Sequence, residues 1–258
     1  AIEVRQQPDD ADWDPEDINY NTFRWITASA GFAMGPSRVN PYNGQILDAD
    51  IIFDADFLSF WKSEFETLTP EGVAAMTGGE FEPGEALRQP AKFLAADEKH
   101  RHCMLGHGMA RQLAFGSAAI VTRADPKVLA AEQEKLILQG LKEVTMHEVG
   151  HTLGLRHNFK GSKMLSLKDI NDPDKSAAAT VASVMDYSPT NIVPKGWKQG
   201  AYFTSTLGPY DYWAIEYGYK QFSGGEEEAL KKLASRSGEP VLAFATDEDT
   251  VASDPDPD

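Results

Sequence analysis

The sequence predicts an α+β fold, from three observations. Strand signals gather in the first quarter of the chain, one long helical pattern runs from Pro126 to about Leu153, and a second helix opens at Pro209. Strands grouped ahead of helices, rather than alternating with them, point to that class.

Taken in order, "AIEVRQQ" reads as a short strand at the very start, and "DDADWDPED" as an acidic loop without the spacing of an EF-hand. "INYNTFRWITAS" is rich in aromatic and β-branched residues and reads as a strand. "AMGPSRVNPYNGQILDADIIFDADF" reads as a hairpin turning at Pro41 and the Asn43-Gly44 pair. On its second arm Leu47, Ala49, Ile51 and Phe53 share one face, and Asp48, Asp50 and Asp54 share the other. That alternation predicts a half-buried strand with an acidic wet side, suited to a sheet edge. Signals blur from Leu58 to Arg123, although "EKHRHCMLGHGMARQLAFG" fits a helix with a glycine-rich middle. The long helix has Asp125 as its expected cap and Pro126 at its first position. Leu129, Leu136, Leu141 and Val144 supply its apolar stripe, and Gly154 falls where it should stop. A polar connection follows. In the helix from Pro209, Tyr210, Trp213, Ala214 and Tyr217 share a face that reads as core.

Composition narrows the function. Of 258 residues, 41% are hydrophobic and 25% charged, ordinary globular values. A formal net charge of −16 argues against a nucleic-acid partner, which needs a basic patch. No apolar run is long enough to span a membrane. The single cysteine, Cys103, allows no intrachain disulfide. Ala1 and the polar ending "VASDPDPD" read as processing boundaries, so the lack of a signal peptide carries no weight.

Three of the six histidines lie in "MHEVGHTLGLRHNF", Met146–Phe159. On a helix, His147 and His151 stand one turn apart on one face, about 6 Å along the axis, and both can reach one metal ion. Glu148 beside them can hold a water without ligating the ion. His157 could not join them on a continuous helix, where it would lie about 9 Å further along on another face. Gly154 resolves this, because a left-handed residue there ends the helix and turns the chain back. The spacings suit three imidazoles converging on one metal.

"HEVGHTLGLRH" resembles the metzincin pattern H-E-x-x-H-x-x-G-x-x-H, and "SVMDYS" resembles the methionine turn of that family. With "NPYNGQILDADIIF", "GMARQLAFG" and "LGPYDYWAIEYGY", the chain is similar to the catalytic region of large bacterial zinc-dependent metalloproteases. The resemblance implies a zincin-like domain: a twisted mixed sheet with the active-site helix, plus a smaller irregular C-terminal subdomain. It places the upper subdomain at 1–154, with a first strand and helix ahead of Ala1, and the lower at 155–258. It implies one catalytic Zn²⁺ held by His147, His151 and His157, with Glu148 as general base and Met185 beneath the site. Gly154 supports the site's turn, and Tyr187 matches a position where some metzincins place a tyrosine that stabilises the transition state. It further implies an extended polypeptide substrate paired with an edge strand, for which the "QILDADIIF" arm is suited, and an exported protein of the periplasm, cell envelope or extracellular space.

The implied activity is peptide hydrolysis by a zinc-activated water, its proton passing through Glu148 to the leaving amine. Two other readings stay open: a zinc-bound but inactive binding module, and a hydrolase of non-peptide amides. His100, His102, Cys103 and His107 form a second cluster, but the spacing of five between His102 and His107 fits one helical face poorly, and a helix with surface histidines is the favoured reading.

Overall fold

Phe53, 1% exposed, lies at the centre of a three-stranded mixed sheet. The computed structural model describes residues 3–27, 33–35, 37–55, 105–123 and 127–249. Its sheet has the order β1 (Phe23–Ile26), β5 (Ile51–Asp54), β2 (Ala33–Met34). β1 pairs with β5 in parallel, Trp25 opposite Phe53, and β2 pairs with it antiparallel, Ala33 opposite Phe53. β3 (Ser37–Val39) and β4 (Ile46–Ala49) form the expected hairpin around the Pro41–Gly44 turn.

The buried side of the sheet faces two long helices, α1 (Leu105–Arg123) and α2 (Leu129–Thr152). Ile51 and Phe53 enter one core with Met109 and Leu113 of α1 and Leu136 and Val144 of α2. Leu129 and Leu141 pack partly buried against it, so the predicted stripe is the face that holds α2 in place. Tyr202 and Phe203 close this core from the far end of the chain. The connection after α2 contains two short helices, α3 (Leu167–Ile170) and α4 (Pro173–Ser176), each opened by a side-chain cap from Ser166 and Asp172. α5 (Pro209–Tyr219) starts and ends where the sequence placed it, and α6 (Glu226–Ala234) follows. No helix among the described residues is long and apolar enough to cross a membrane.

Several expectations are corrected. Residues 3–7 are exposed and irregular, not a strand. α2 begins at Leu129 with Val128 at its flank and no side-chain cap, while Asp125 and Pro126 lie outside the described residues. So do His100, His102 and Cys103 of the second histidine cluster, and the side chain of His107. The "QILDADIIF" arm is two strands in two sheets, broken at Asp50. Its second half, β5, is the central strand rather than an edge.

The acidic side of that arm is buried, not wet: Asp48, Asp50 and Asp54 are 2%, 8% and 0% exposed. Partners replace water there. Asp48 forms an ion pair at 2.9 Å with Arg38, its cross-strand neighbour, at an angle too oblique for an aligned hydrogen bond. Asp50 accepts from the Thr22 backbone N–H and hydroxyl at 2.9 and 2.8 Å, which ties the entry of β1 to the break between β4 and β5. A carboxylate can be buried once its oxygens are paired. The aromatic stripe on α5 is only partly buried: Tyr210, Trp213 and Ala214 are half-buried, Tyr217 is 50% exposed, and Trp213 donates its indole N–H to the Leu233 carbonyl of α6 at 2.8 Å.

Candidate metal centre

α2 carries His147, Glu148 and His151 in its last two turns, where His147 and Glu148 are fully buried and His151 half-buried. The helix then stops as its glycine requires. Gly154 has φ +81°, its N–H bonds the His151 carbonyl at 2.9 Å, and the Leu155 N–H reaches back to the Gly150 carbonyl at 3.0 Å. These two bonds make a Schellman cap. The turn sends the chain back along the site, and the His157 ring stands 4.8 Å from His151 and 5.3 Å from His147, centroid to centroid.

The stretch from Ser183 to Tyr187 lies beneath. Met185 is fully buried with its sulfur against Gly150, a place with no room for a β-carbon. Its carbonyl accepts from the Asn158 N–H at 2.9 Å, which couples the segment after the turn to the methionine. Tyr187 packs partly buried beside His157, and its hydroxyl donates to His157 Nε2 at 3.0 Å.

The three imidazoles are held by the same device. Each turns Nδ1 to an oxygen that can only accept: the Val184 carbonyl for His147 at 2.7 Å, the Leu155 carbonyl for His151 at 3.0 Å, and the Asp247 carboxylate for His157 at 2.9 and 3.0 Å. The proton therefore sits on Nδ1 in every ring and the lone pair on Nε2, the atom that would ligate; on His157 it now accepts from the Tyr187 hydroxyl. The candidate ligand atoms lie within 4.8 Å of one another, a small side-chain adjustment from sharing an ion that takes nitrogen at about 2.0–2.1 Å. His151 Nε2 is buried with no hydrogen-bond partner among the described residues, as expected of a lone pair built to meet a cation. Burial, followed by the neighbouring His151, pushes the His147 imidazole well below its ordinary pKa, and burial also lowers His151. Both are neutral at neutral pH, as ligation requires. This donor set fits zinc.

The structure thus brings together His147, Glu148, His151, His157, Met185 and Tyr187, with Gly154 at the turn. Sequence reasoning missed the residues that hold them. Asp211 of α5 is fully buried and accepts from the Ser183 hydroxyl and the Val184 and Gly208 N–H groups at 2.7, 3.0 and 2.8 Å. Its only local sign is its place three residues after Gly208, where it caps α5. Asp186 accepts from the Ser162 and Tyr187 N–H groups at 2.6 and 2.7 Å. Glu143, one turn before His147, is fully buried with no aligned hydrogen-bond partner among the described residues. Burial drives its carboxyl well above the ordinary range, and the Ser188 hydroxyl offsets only part of this. Asp247 lies in the acidic run "ATDEDT", where nothing local distinguishes it.

A cavity among the described residues lies away from the histidines. It holds about 450 Å³ between Ile120, Val128, Glu132, Val193, Trp197 and Tyr202. Glu132 precedes His147 by about 22 Å along the helix, so this space is not part of the histidine cluster.

A family profile described as Met-zincin matches residues 130–258, half of the chain, and includes all three histidines, Met185, Asp211 and Asp247. No curated protein and no solved structure matches the chain.

Proposed function

The chain belongs to the Met-zincin family, and from that premise we propose that it is a zinc-dependent endopeptidase whose metal is held by His147, His151 and His157 and whose general base is Glu148. Its α+β architecture, a small mixed sheet packed on the helix that carries the histidines, is zincin-like. Family membership carries the coarse activity, zinc-dependent peptide hydrolysis. The finer roles rest on one observation above the rest, the convergence of three imidazoles with each Nδ1 anchored.

When bound, zinc supplies Lewis acidity that lowers the pKa of a water to about 7 and polarises the scissile carbonyl. Glu148, next to His147 and on the helix face of both ligands, takes the proton of the attacking water and passes it to the leaving amine. Tyr187 presents its hydroxyl at the ligating edge of His157, from where it donates to the oxygen on which charge develops. Met185, pressed against Gly150, holds the floor level beneath the three rings.

The proposed substrate is an extended polypeptide. Supporting this, β4 pairs only with β3 among the described residues, and the Ile46 side chain on it comes within 4.0 Å of where a β-carbon would stand at Gly154. A strand edge beside the site can take a peptide by backbone hydrogen bonds. The division at Gly154, 1–154 above the cleft and 155–258 below, and an exported setting belong to the same proposal and rest on family resemblance.

The test is metal analysis combined with peptide release from an unfolded protein, read by mass spectrometry before chelation, after it, and after zinc is restored. One zinc per chain and cleavage that follows the metal are expected. Stoichiometric zinc without cleavage would sink the endopeptidase reading, and failure to hold zinc would sink the metal centre.

A further inference from the structure

His147 and His151 are oriented by backbone carbonyls of a helix cap and of the turn beneath the site. His157 is different. It sits past the helix in irregular chain, and its Nδ1 is met by a side chain ninety residues later, with both oxygens of Asp247 at 2.9 and 3.0 Å. Asp247 is itself held by a strap. Arg156 pairs with Glu248 at 2.5 Å, the Phe159 N–H bonds the Ala245 carbonyl at 2.8 Å, and the Asn158 amide bridges the Ala243 carbonyl and the Ala245 N–H at 3.1 and 3.3 Å. As numbers rise along 156–159 they fall along 243–248, so the two segments run antiparallel, in register about the His157–Asp247 pair. A short turn closed by the Asp249 N–H on the Thr246 carbonyl at 2.9 Å, and by the Thr246 N–H on the Asp249 carboxylate at 2.8 Å, fixes the far end.

We infer that Asp247 is a positioning residue for the third metal ligand, and that the strap 243–249 is part of the metal centre although it contributes no ligand. This rests on the reading of His157 as a ligand. Asp247 meets the ring nitrogen opposite the one that ligates, so it acts through the imidazole rather than on the ion. It fixes the ring's tautomer and rotation, and its negative charge makes Nε2 a stronger donor, which a neutral backbone carbonyl does less well. The strap explains why a partly exposed carboxylate can do this: four consecutive residues around His157 bind the segment that carries it, so the carboxylate is delivered by the backbone rather than by a free side chain.

The test uses the full chain and measures zinc affinity by competition with a chromogenic chelator, together with the visible absorption of the cobalt-substituted protein and the unfolding temperature without metal. Compared are wild type, His157→Ala, Asp247→Ala, Asp247→Asn and Glu248→Ala. Asp247→Ala is expected to weaken zinc by roughly 10–100-fold and to alter the cobalt spectrum. Asp247→Asn keeps the shape and an acceptor but loses the charge, so it should fall between Ala and wild type. Glu248→Ala removes one exposed tie of the strap and leaves Asp247 itself in place, so it should weaken zinc far less than Asp247→Ala. If Asp247→Ala and Asp247→Asn both bind zinc as wild type while His157→Ala is weak, the inference is overturned and the metal centre stands. If His157→Ala also binds as wild type, the ligand reading itself fails and the inference goes with it. A loss of metal-free stability equal in Asp247→Ala and Glu248→Ala, with affinity unchanged in both, would reduce the strap to a structural role and overturn the inference.

Discussion

The carbonyl oxygen of Val184 accepts the Nδ1 proton of His147 at 2.7 Å, while the N–H of the same residue donates to Asp211 at 3.0 Å. One peptide unit on either side of Val184 thus links α5 to the first candidate ligand. Asp211 also accepts from Ser183 and Gly208, and all of these groups are buried.

Asp211→Ala should therefore be costly. It leaves two buried N–H donors without partners, a penalty on the order of 3 kcal/mol, and it frees the segment that orients His147. Asp211→Asn should be milder: the amide oxygen can take both N–H groups while the Ser183 hydroxyl turns to accept from the amide nitrogen. Thermal unfolding and zinc affinity, measured on both variants, check this. Equal effects from Ala and Asn would contradict it.

Gly154→Ala tests the turn. With φ at +81° a β-carbon is strained, although its nearest neighbour, Ile46 Cδ1, is 4.0 Å away, so crowding adds nothing. A loss of about 1–2 kcal/mol is expected, accompanied by weaker zinc as His157 is displaced. Asn tolerates this conformation better, and Gly154→Asn should recover part of both losses.

Glu143 gives a pH dependence of known sign. Its folded pKa is raised by burial above the ordinary 4.5, so the folded chain holds a proton that the unfolded chain releases. Its stabilising contribution is complete below pH 4.5 and is lost as pH rises through the folded value. Glu143→Gln, the neutral isostere of the protonated acid, should match wild type below 4.5 and unfold at higher temperature than wild type as pH increases. A difference independent of pH would mean that Glu143 is ionised in the folded chain.

Tyr187→Phe keeps the ring contacts with His157 and Phe159, at 4.8 and 5.3 Å, and removes only the hydroxyl. Loss of a donor to the developing charge should lower kcat by about 10²-fold with KM little changed. Stability should hold. Unchanged kcat would make Tyr187 a packing residue only.

Local spacing made the convergence of the three imidazoles and their turn readable: His147 and His151 lie one helical turn apart, and a glycine stop at Gly154 brings His157 back to them. Pro209 and the run to Tyr219 likewise marked α5, because caps and stops are local. The alternation of Asp48, Asp50 and Asp54 did not survive as two faces of one strand: the arm breaks at Asp50 into two sheets, Leu47 is exposed, and the aspartates are buried against partners such as Arg38 and Thr22 that no local pattern announces. Asp247 and Asp211 were invisible as site residues for the same reason. Each reaches its partner across a long stretch of sequence, and no local pattern records which acid in an acidic tail will meet an imidazole.

The central claim is most directly tested with Glu148→Gln. Wild type and variant are brought to the same measured zinc content, and the rate of peptide release from an unfolded protein is compared. The account predicts full metal binding in both and a fall in rate of roughly 10²–10⁴-fold in the variant. Cleavage by the variant at close to the wild-type rate, with zinc bound, would contradict it.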